Sequence, residues 1–232
     1  NIIDASLLHQ FDSTNVFKEN LFTMIGYIGL DHTHWIKNKT IDGIIHEKTI
    51  KLLNSSIFVN KQDTDEITKK IKKSLGKNNS KKYYFNENFS ISRKENNFIY
   101  FQDDLGEILL PEPNILGDHQ LGNISTAIAA SRKIFKIKDE DVKLGIKKIE
   151  LKGRLQELKT GKLKNIIGDN KIFCDGGHNI GASKSLALWI KQQNENVHVV
   201  VGMMEDKSHN EFIYNLKNVA KSITLIDIPN HK

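Results

Sequence analysis

From Lys171 to Ile228 the sequence alternates in type: KIFCD, ASKSLALWIKQ, VHVVVGMM, HNEFIYNLKNVA, SITLIDI. The first, third and fifth runs read as strands. In the second, Ala182, Leu186, Trp189 and Ile190 recur at helical spacing and form one apolar face. No other feature restricts the fold as strongly, because this alternation is the signature of a parallel sheet covered by helices. The first strand ends on Asp175, Gly176, Gly177, His178 and Asn179 and passes directly into the helix. In open α/β sheets, ligands sit beyond the carboxyl ends of strands, where a helix N-terminus offers free N–H groups. The same residues also suit a tight turn with an N-cap, and the stretch alone leaves both readings open.

Upstream, Phe22 to Leu30 reads as a strand running into Asp31 and His32, Thr40 to Leu53 as a helix, and Ser56 to Asn60 as a short strand. Thr64 to Leu75 reads as a basic helix. Tyr83 to Leu110 alternates in short runs that predict antiparallel hairpins, closed by PEPN. Helix returns over Gly117 to Phe135, with Asp118 as its expected N-cap, and again over DEDVKLGIKKI. GRLQELKTGKLKNII reads as strand, turn, strand. A boundary near Leu151 divides the chain into domains of residues 1–150 and 151–232, both α/β.

The 232 residues carry a net charge of +6 and a single cysteine, Cys174, which excludes an internal disulfide and suits a reducing compartment. No apolar run is long enough to span a membrane, and the cytoplasm is the default expectation. Much of the positive excess lies between Ile67 and Tyr84. It lacks the interleaved aromatics and arginines of a nucleic-acid platform, so a solvated helix face is the expected reading. The start on Asn1 and the stop at IDIPNHK read as cuts through a longer protein.

Three further positions bear on chemistry. Lys48 falls on the apolar stripe set by Ile41, Ile44, Ile45 and Leu52. An inward lysine snorkels, is paired, or is chemically altered, and burial makes its amine available in neutral form. A neutral amine can take up carbon dioxide as a carbamate, whose hard oxygens suit magnesium. Arg154, in GRLQ, has the planar fork that suits phosphate, though a surface arginine is the plainer reading. Asn123 lies off the stripe of Leu121, Ile124 and Ile128 and offers its amide to a base or to water.

FDSTNVF, IGLDHTHW, HEKTI, LGDHQLGNISTAIAA, GRLQEL, DGGHN and VGMMEDKS run in that order almost from end to end. In that order the chain resembles the bifunctional dihydrofolate synthase/folylpolyglutamate synthase family, within the Mur ligase group. The resemblance implies a Mur-ligase-type P-loop ATPase domain followed by a Rossmann-like parallel-sheet domain, in a monomer. It implies an ATP-dependent ligase in folate biosynthesis, using Mg2+, that joins L-glutamate to dihydropteroate or to a reduced folate through an acyl phosphate. It makes His32 and Lys48 catalytic, with Lys48 carbamylated, and His32, Asp4 and Lys48 the metal site. Asn123, Arg154, Asp175 and His178 become ATP-binding positions, and Phe11, Asp12 and Ser13 the pterin segment.

The family's phosphate-binding glycine loop would lie upstream of Asn1, so this stretch by itself is expected to be inactive. DASLLHQ (Asp4 to Gln10) stands where the family carries a glutamate and a glycine-rich run. That departure keeps open a non-catalytic relative that binds nucleotide or folate. A muramyl-type ligase is the third reading, against which the DSTN and DGGHN matches argue.

Overall fold

A computed structural model describes residues 1–5, 8–10, 12–31, 33–94 and 98–229, apart from the side chain of His34. The chain divides into two compact units, one of Asn1–Glu112 and Leu121–Lys147, the other of Pro113–Gln120 and the chain from Lys148 onward.

The first unit is built on a parallel sheet of β1 (Phe22–Ile25), β2 (Ser56–Val59) and β3 (Lys82–Tyr84), in that order. Helix α1 (Ile41–Thr49) connects β1 to β2, and α2 (Asp65–Ser74) connects β2 to β3. Both helices begin where a threonine side chain accepts a backbone N–H: Thr40 from Gly43 and Thr64 from Ile67. Gly43 admits no side chain, because a Cβ there would fall 1.9 Å from the Asn38 carbonyl oxygen. Ile67, Ile71 and Leu75 recur every four residues along one side of α2 and its extension, and join Ile44, Ile45, Ile57 and Val59 in the core. Burial of that stripe holds the helix down, since a helix this short is marginal on its own.

An antiparallel meander follows, of β4 (Phe89–Arg93), β5 (Ile99–Asp103) and β6 (Gly106–Leu110). Its central residue Phe101 pairs with Ile91 and Ile108 and is fully buried. Two helices complete this part of the chain, α3 (Asp118–Phe135), whose first residues group with the second unit, and α4 (Asp139–Lys147).

The second unit contains β7 (Gln156–Glu157), α5 (Lys162–Ile167), β8 (Phe173–Cys174), α6 (Ile180–Gln192), β9 (His198–Val201), α7 (His209–Leu216) and β10 (Ser222–Leu225). Strands β9 and β10 pair in parallel, while β7 and β8 form a separate antiparallel pair. The core gathers Leu155, Ala187, Trp189, Ile190, Phe212 and Leu216, with Phe173 edge-on to Trp189 at 4.8 Å.

The α/β class and the alternating strands and helices agree with the sequence, and four local expectations are corrected. KYYFNE does not open a hairpin: its strand β3 joins β2 in parallel, so that of the described strands between Tyr83 and Leu110 the antiparallel ones are β4 to β6. The strand expected from Phe22 to Leu30 stops at Ile25. The second strand of GRLQELKTGKLKNII is instead helix α5, entered and left through glycines at φ +103° and +61°. Asp118 is the first helical residue and no N-cap; its carboxylate accepts a hydrogen bond from the Gln192 amide at 3.1 Å.

Candidate functional site

In the first unit, Asp31 lies in the loop after β1, and Asn123 contacts Asn60 directly after β2. Gln62, buried among the strand-end loops, accepts from the Ile28 backbone N–H at 2.9 Å. Its amide donates to the carbonyls of Gly26 and Asn60 at 3.1 and 2.9 Å. One side chain thus ties the loop after β1, which carries Asp31, to the loop after β2. The Tyr27 hydroxyl adds a second tie at 2.7 Å to Asp63. Burial, then that carboxylate, pushes the Tyr27 phenol well above its usual range. Asn123 is fixed in the same way, accepting from the Asn60 amide at 2.7 Å.

Lys48 is partly buried on α1, and its ammonium is held below the ordinary lysine value. Burial is the main cause; the carboxylates of Asp31 and Asp4 oppose it without cancelling it. The site therefore makes a neutral amine more accessible while keeping two hard oxygen donors beside it. Carboxylate oxygens are of the kind magnesium takes; of the expected metal ligands His32, Asp4 and Lys48, the structure relates Asp4 to Lys48 through this electrostatic influence. Among the described residues no cluster of three or more His, Cys, Asp or Glu is arranged to hold a metal. His32 and Phe11 lie outside the described residues. Asp12 is buried and accepts from the backbone N–H of Thr14 at 2.9 Å, whereas Ser13 is exposed.

In the second unit, Asp175 explains the strand end. One carboxylate oxygen accepts from the Leu155 N–H at 2.8 Å and the other from the Gly177 N–H at 2.7 Å. The Gly176 N–H donates to the Gly153 carbonyl at 2.7 Å. The Gln156 side chain closes the same turn by accepting from Gly153 N–H at 2.9 Å. This network holds Leu155 at φ +45°, a left-handed conformation unfavourable for leucine, and keeps its side chain in the core. The adjacent Arg154 is exposed and makes no ion pair among the described residues, leaving its guanidinium available to an anion. The exposed His178 lies 3.1 Å through Nδ1 from the Gly176 carbonyl, and Asn179 caps α6 by accepting from Ala182 N–H at 2.9 Å.

The two glycines are not equivalent. A Cβ on Gly177 would lie 2.6 Å from both the Ala182 Cβ and the Asp175 carboxylate; on Gly176 the nearest atom is 3.5 Å away. Gly177→Ala is expected to cost about 1–3 kcal/mol through overpacking, and Gly176→Ala less than about 0.5 kcal/mol. Urea denaturation of the two variants checks the contrast.

Sequence reasoning missed His119. Asp175, Arg154 and Asp118 all act on its imidazole, which burial holds below the usual histidine value. Gln62 was missed as well. His119 stands in the quoted LGDHQLGN stretch, one helical turn before Asn123, and that spacing was the available signal; Gln62 carried none.

With this geometry in view, the comparisons are decisive for the fold. A structure described as a folylpolyglutamate synthase (FPGS)–AMPPCP–folate complex superposes with a TM-score of 0.82 at 20% identity, covering 99% of this chain and 56% of its own. The Mycobacterium tuberculosis folylpolyglutamate synthase complexed with ADP and AMPPCP gives 0.78 at 19% identity, over 95% of this chain and 50% of its own. The chain has the fold of the folylpolyglutamate synthases. A probable dihydrofolate synthetase of Schizosaccharomyces pombe is 27% identical over 214 residues, 89% of this chain and 49% of that protein. No family model matches. The resemblance carried by the ordered motifs is thereby borne out, and the chain spans about half the length of the folylpolyglutamate synthases and the dihydrofolate synthetase it matches.

Proposed function

We propose that the chain is part of an ATP-dependent ligase that joins L-glutamate to dihydropteroate, to a folylpolyglutamate, or to both. The observation that carries this reading is Lys48, half-buried on α1, whose ammonium burial disfavours while the carboxylates of Asp31 and Asp4 act on it. In the reaction, a pterin carboxylate oxygen attacks the γ-phosphorus of ATP, ADP leaves, and the glutamate amine displaces phosphate from the acyl phosphate. Carbamylated Lys48, His32 and Asp4 would hold magnesium, which supplies charge neutralisation on the transferring phosphoryl group. Arg154 donates its fork to nucleotide phosphate. Asn123, Asp175 and His178 complete the nucleotide contacts, and Phe11, Asp12 and Ser13 the pterin contacts.

Residues 1–150 would belong to the ATPase domain and 151–232 to the Rossmann-like domain of a monomer. No helix among the described residues is long and apolar enough to cross a membrane. The substrates of this reading are small molecules of the cytoplasm. Leu8, held at φ +54° where the family carries a glycine-rich run, favours the second reading, a non-catalytic binder of nucleotide or folate.

Phosphate release by the full-length protein containing this chain separates the readings. The ligase releases phosphate from ATP only when magnesium, glutamate and either dihydropteroate or a reduced folate are all present. Nucleotide binding with no release under any of these conditions overturns it.

A further inference from the structure

The basic helix α2 sorts its lysines into two sets. Lys70 is tied to Asp42 and Glu66, and Lys72 to Glu87. Lys69 and Lys73, followed by Lys77 one turn beyond, are exposed and make no ion pair or hydrogen bond among the described residues. Asp65, four residues before Lys69, forms no ion pair with it. The three lysines recur every four residues on the side of the helix opposite Ile67, Ile71 and Leu75. Like charges at this spacing repel and weaken the helix. They are kept on a helix that packs directly against α1, the helix bearing Lys48, through the Thr49–Ser74 hydroxyl pair at 2.7 Å.

We infer that the Lys69–Lys73–Lys77 stripe binds a chain of carboxylates, the oligo-γ-glutamate tail of a pteroyl substrate or product. The assignment rests on the ligase reading for the identity of the tail. The chemistry is on the surface itself. Four α-helical residues rise about 6 Å, and Lys77 ends the 3-10 turn Leu75–Lys77 that extends α2, where the rise is about 2 Å per residue, so the stripe repeats positive charge at intervals of roughly 6–7 Å. An α-linked peptide advances about 3.5 Å for three backbone bonds. A γ-linked glutamyl unit has five bonds and advances about 6 Å by the same geometry, so an extended γ-linked chain repeats its carboxylates at the interval of the lysines. The stripe lies in water, so each pair is weak and screened by salt, and binding comes from several acting together.

The test uses free hexa-γ-L-glutamate, so that it stands apart from catalysis and from pterin binding. Calorimetric titration of the full-length protein containing this chain, without nucleotide or pterin and at low salt, is compared with its Lys69→Gln/Lys73→Gln/Lys77→Gln variant. The expected result is affinity about tenfold higher for the unaltered chain, a loss of a few weak exposed pairs, together with weaker binding of hexa-α-glutamate and loss of binding at high salt. Because the substituted side chains are exposed and remove mutual repulsion, the variant melts no lower than the parent. Equal affinity of parent and variant, equal binding of α- and γ-linked hexamers, or tighter binding of a uridine hexaribonucleotide overturns the assignment. Absence of phosphate release with intact oligoglutamate binding would count against the ligase reading alone.

Discussion

Lys48→Ala in the full-length protein is expected to remove glutamate-dependent phosphate release by about a thousandfold or more, the scale on which loss of a major electrostatic contributor acts. The same substitution is expected to leave stability unchanged or raise it. The two outcomes come from one cause. Burial disfavours the Lys48 ammonium more strongly than Asp31 and Asp4 favour it, so its folded-state pKa lies below the unfolded value. A base with a depressed folded pKa binds protons more readily when unfolded. It therefore costs stability at neutral pH, and that cost falls as pH rises through the folded and then the unfolded pKa. Alanine removes the cost at every pH. The measurement is a pair of assays on parent and variant: phosphate release, and urea denaturation at pH 7 and at pH 10 in carbon dioxide-free buffer without magnesium, where Lys48 is the free amine. The stability advantage of the variant should be smaller at pH 10. A lysine that merely snorkels would give the opposite pairing, with activity kept and packing lost.

The parts of this molecule legible in sequence are those whose signals are local. The alternation from Lys171 onward marked α6, β9, α7 and β10, because burying one helix face or one strand face imposes its own period on neighbouring residues. Lys48 was visible as a charge at a core-facing position for the same reason. Failures came where period does not decide. KYYFNE looks alike in a hairpin and in a parallel edge strand, since both alternate; only its pairing with β2, from Ile57 opposite Lys82 to Val59 opposite Tyr84, distinguishes them. Leu163, Ile166 and Ile167 suggested a strand, yet Leu163 and Ile166 are exposed on the short helix α5, and two glycines at positive φ set its ends. The tie made by Gln62 spans 34 residues and that of Asp175 to Leu155 spans 20. Such contacts depend on where the fold brings two loops, and no residue near either partner announces them.

The largest expected loss of stability is at Arg132, a residue with no assigned role in binding. Arg132→Ala should cost about 3–5 kcal/mol, the penalty for removing one partner of a buried ion pair. Its guanidinium donates to Asp103 at 2.9 Å, and the two side chains are only 7% and 6% exposed. A second contact, to Asp139 at 3.4 Å, is half exposed and adds little. Without Arg132, the Asp103 carboxylate stays in the interior with the Leu105 N–H as its remaining close hydrogen-bond donor among those described. Burial already raises the Asp103 pKa against the pull of Arg132, and the variant should raise it further. An acid with a raised folded pKa contributes stability below its unfolded value, near 3.8, and loses it as pH rises through the folded one. The deficit of Arg132→Ala should therefore be smallest at about pH 4 and complete at neutral pH. Pairing Arg132→Met with Asp103→Asn restores most of the loss, since the introduced amide keeps an acceptor for the Leu105 N–H while neither side chain leaves a charge to bury. Urea denaturation of Arg132→Met, Asp103→Asn and the double variant, with Arg132→Ala alongside, at both pH values, closes the cycle. A full deficit that persists in the double variant would place the role of Arg132 in packing against the Phe101 ring, 5.8 Å from its guanidinium carbon, instead of in charge.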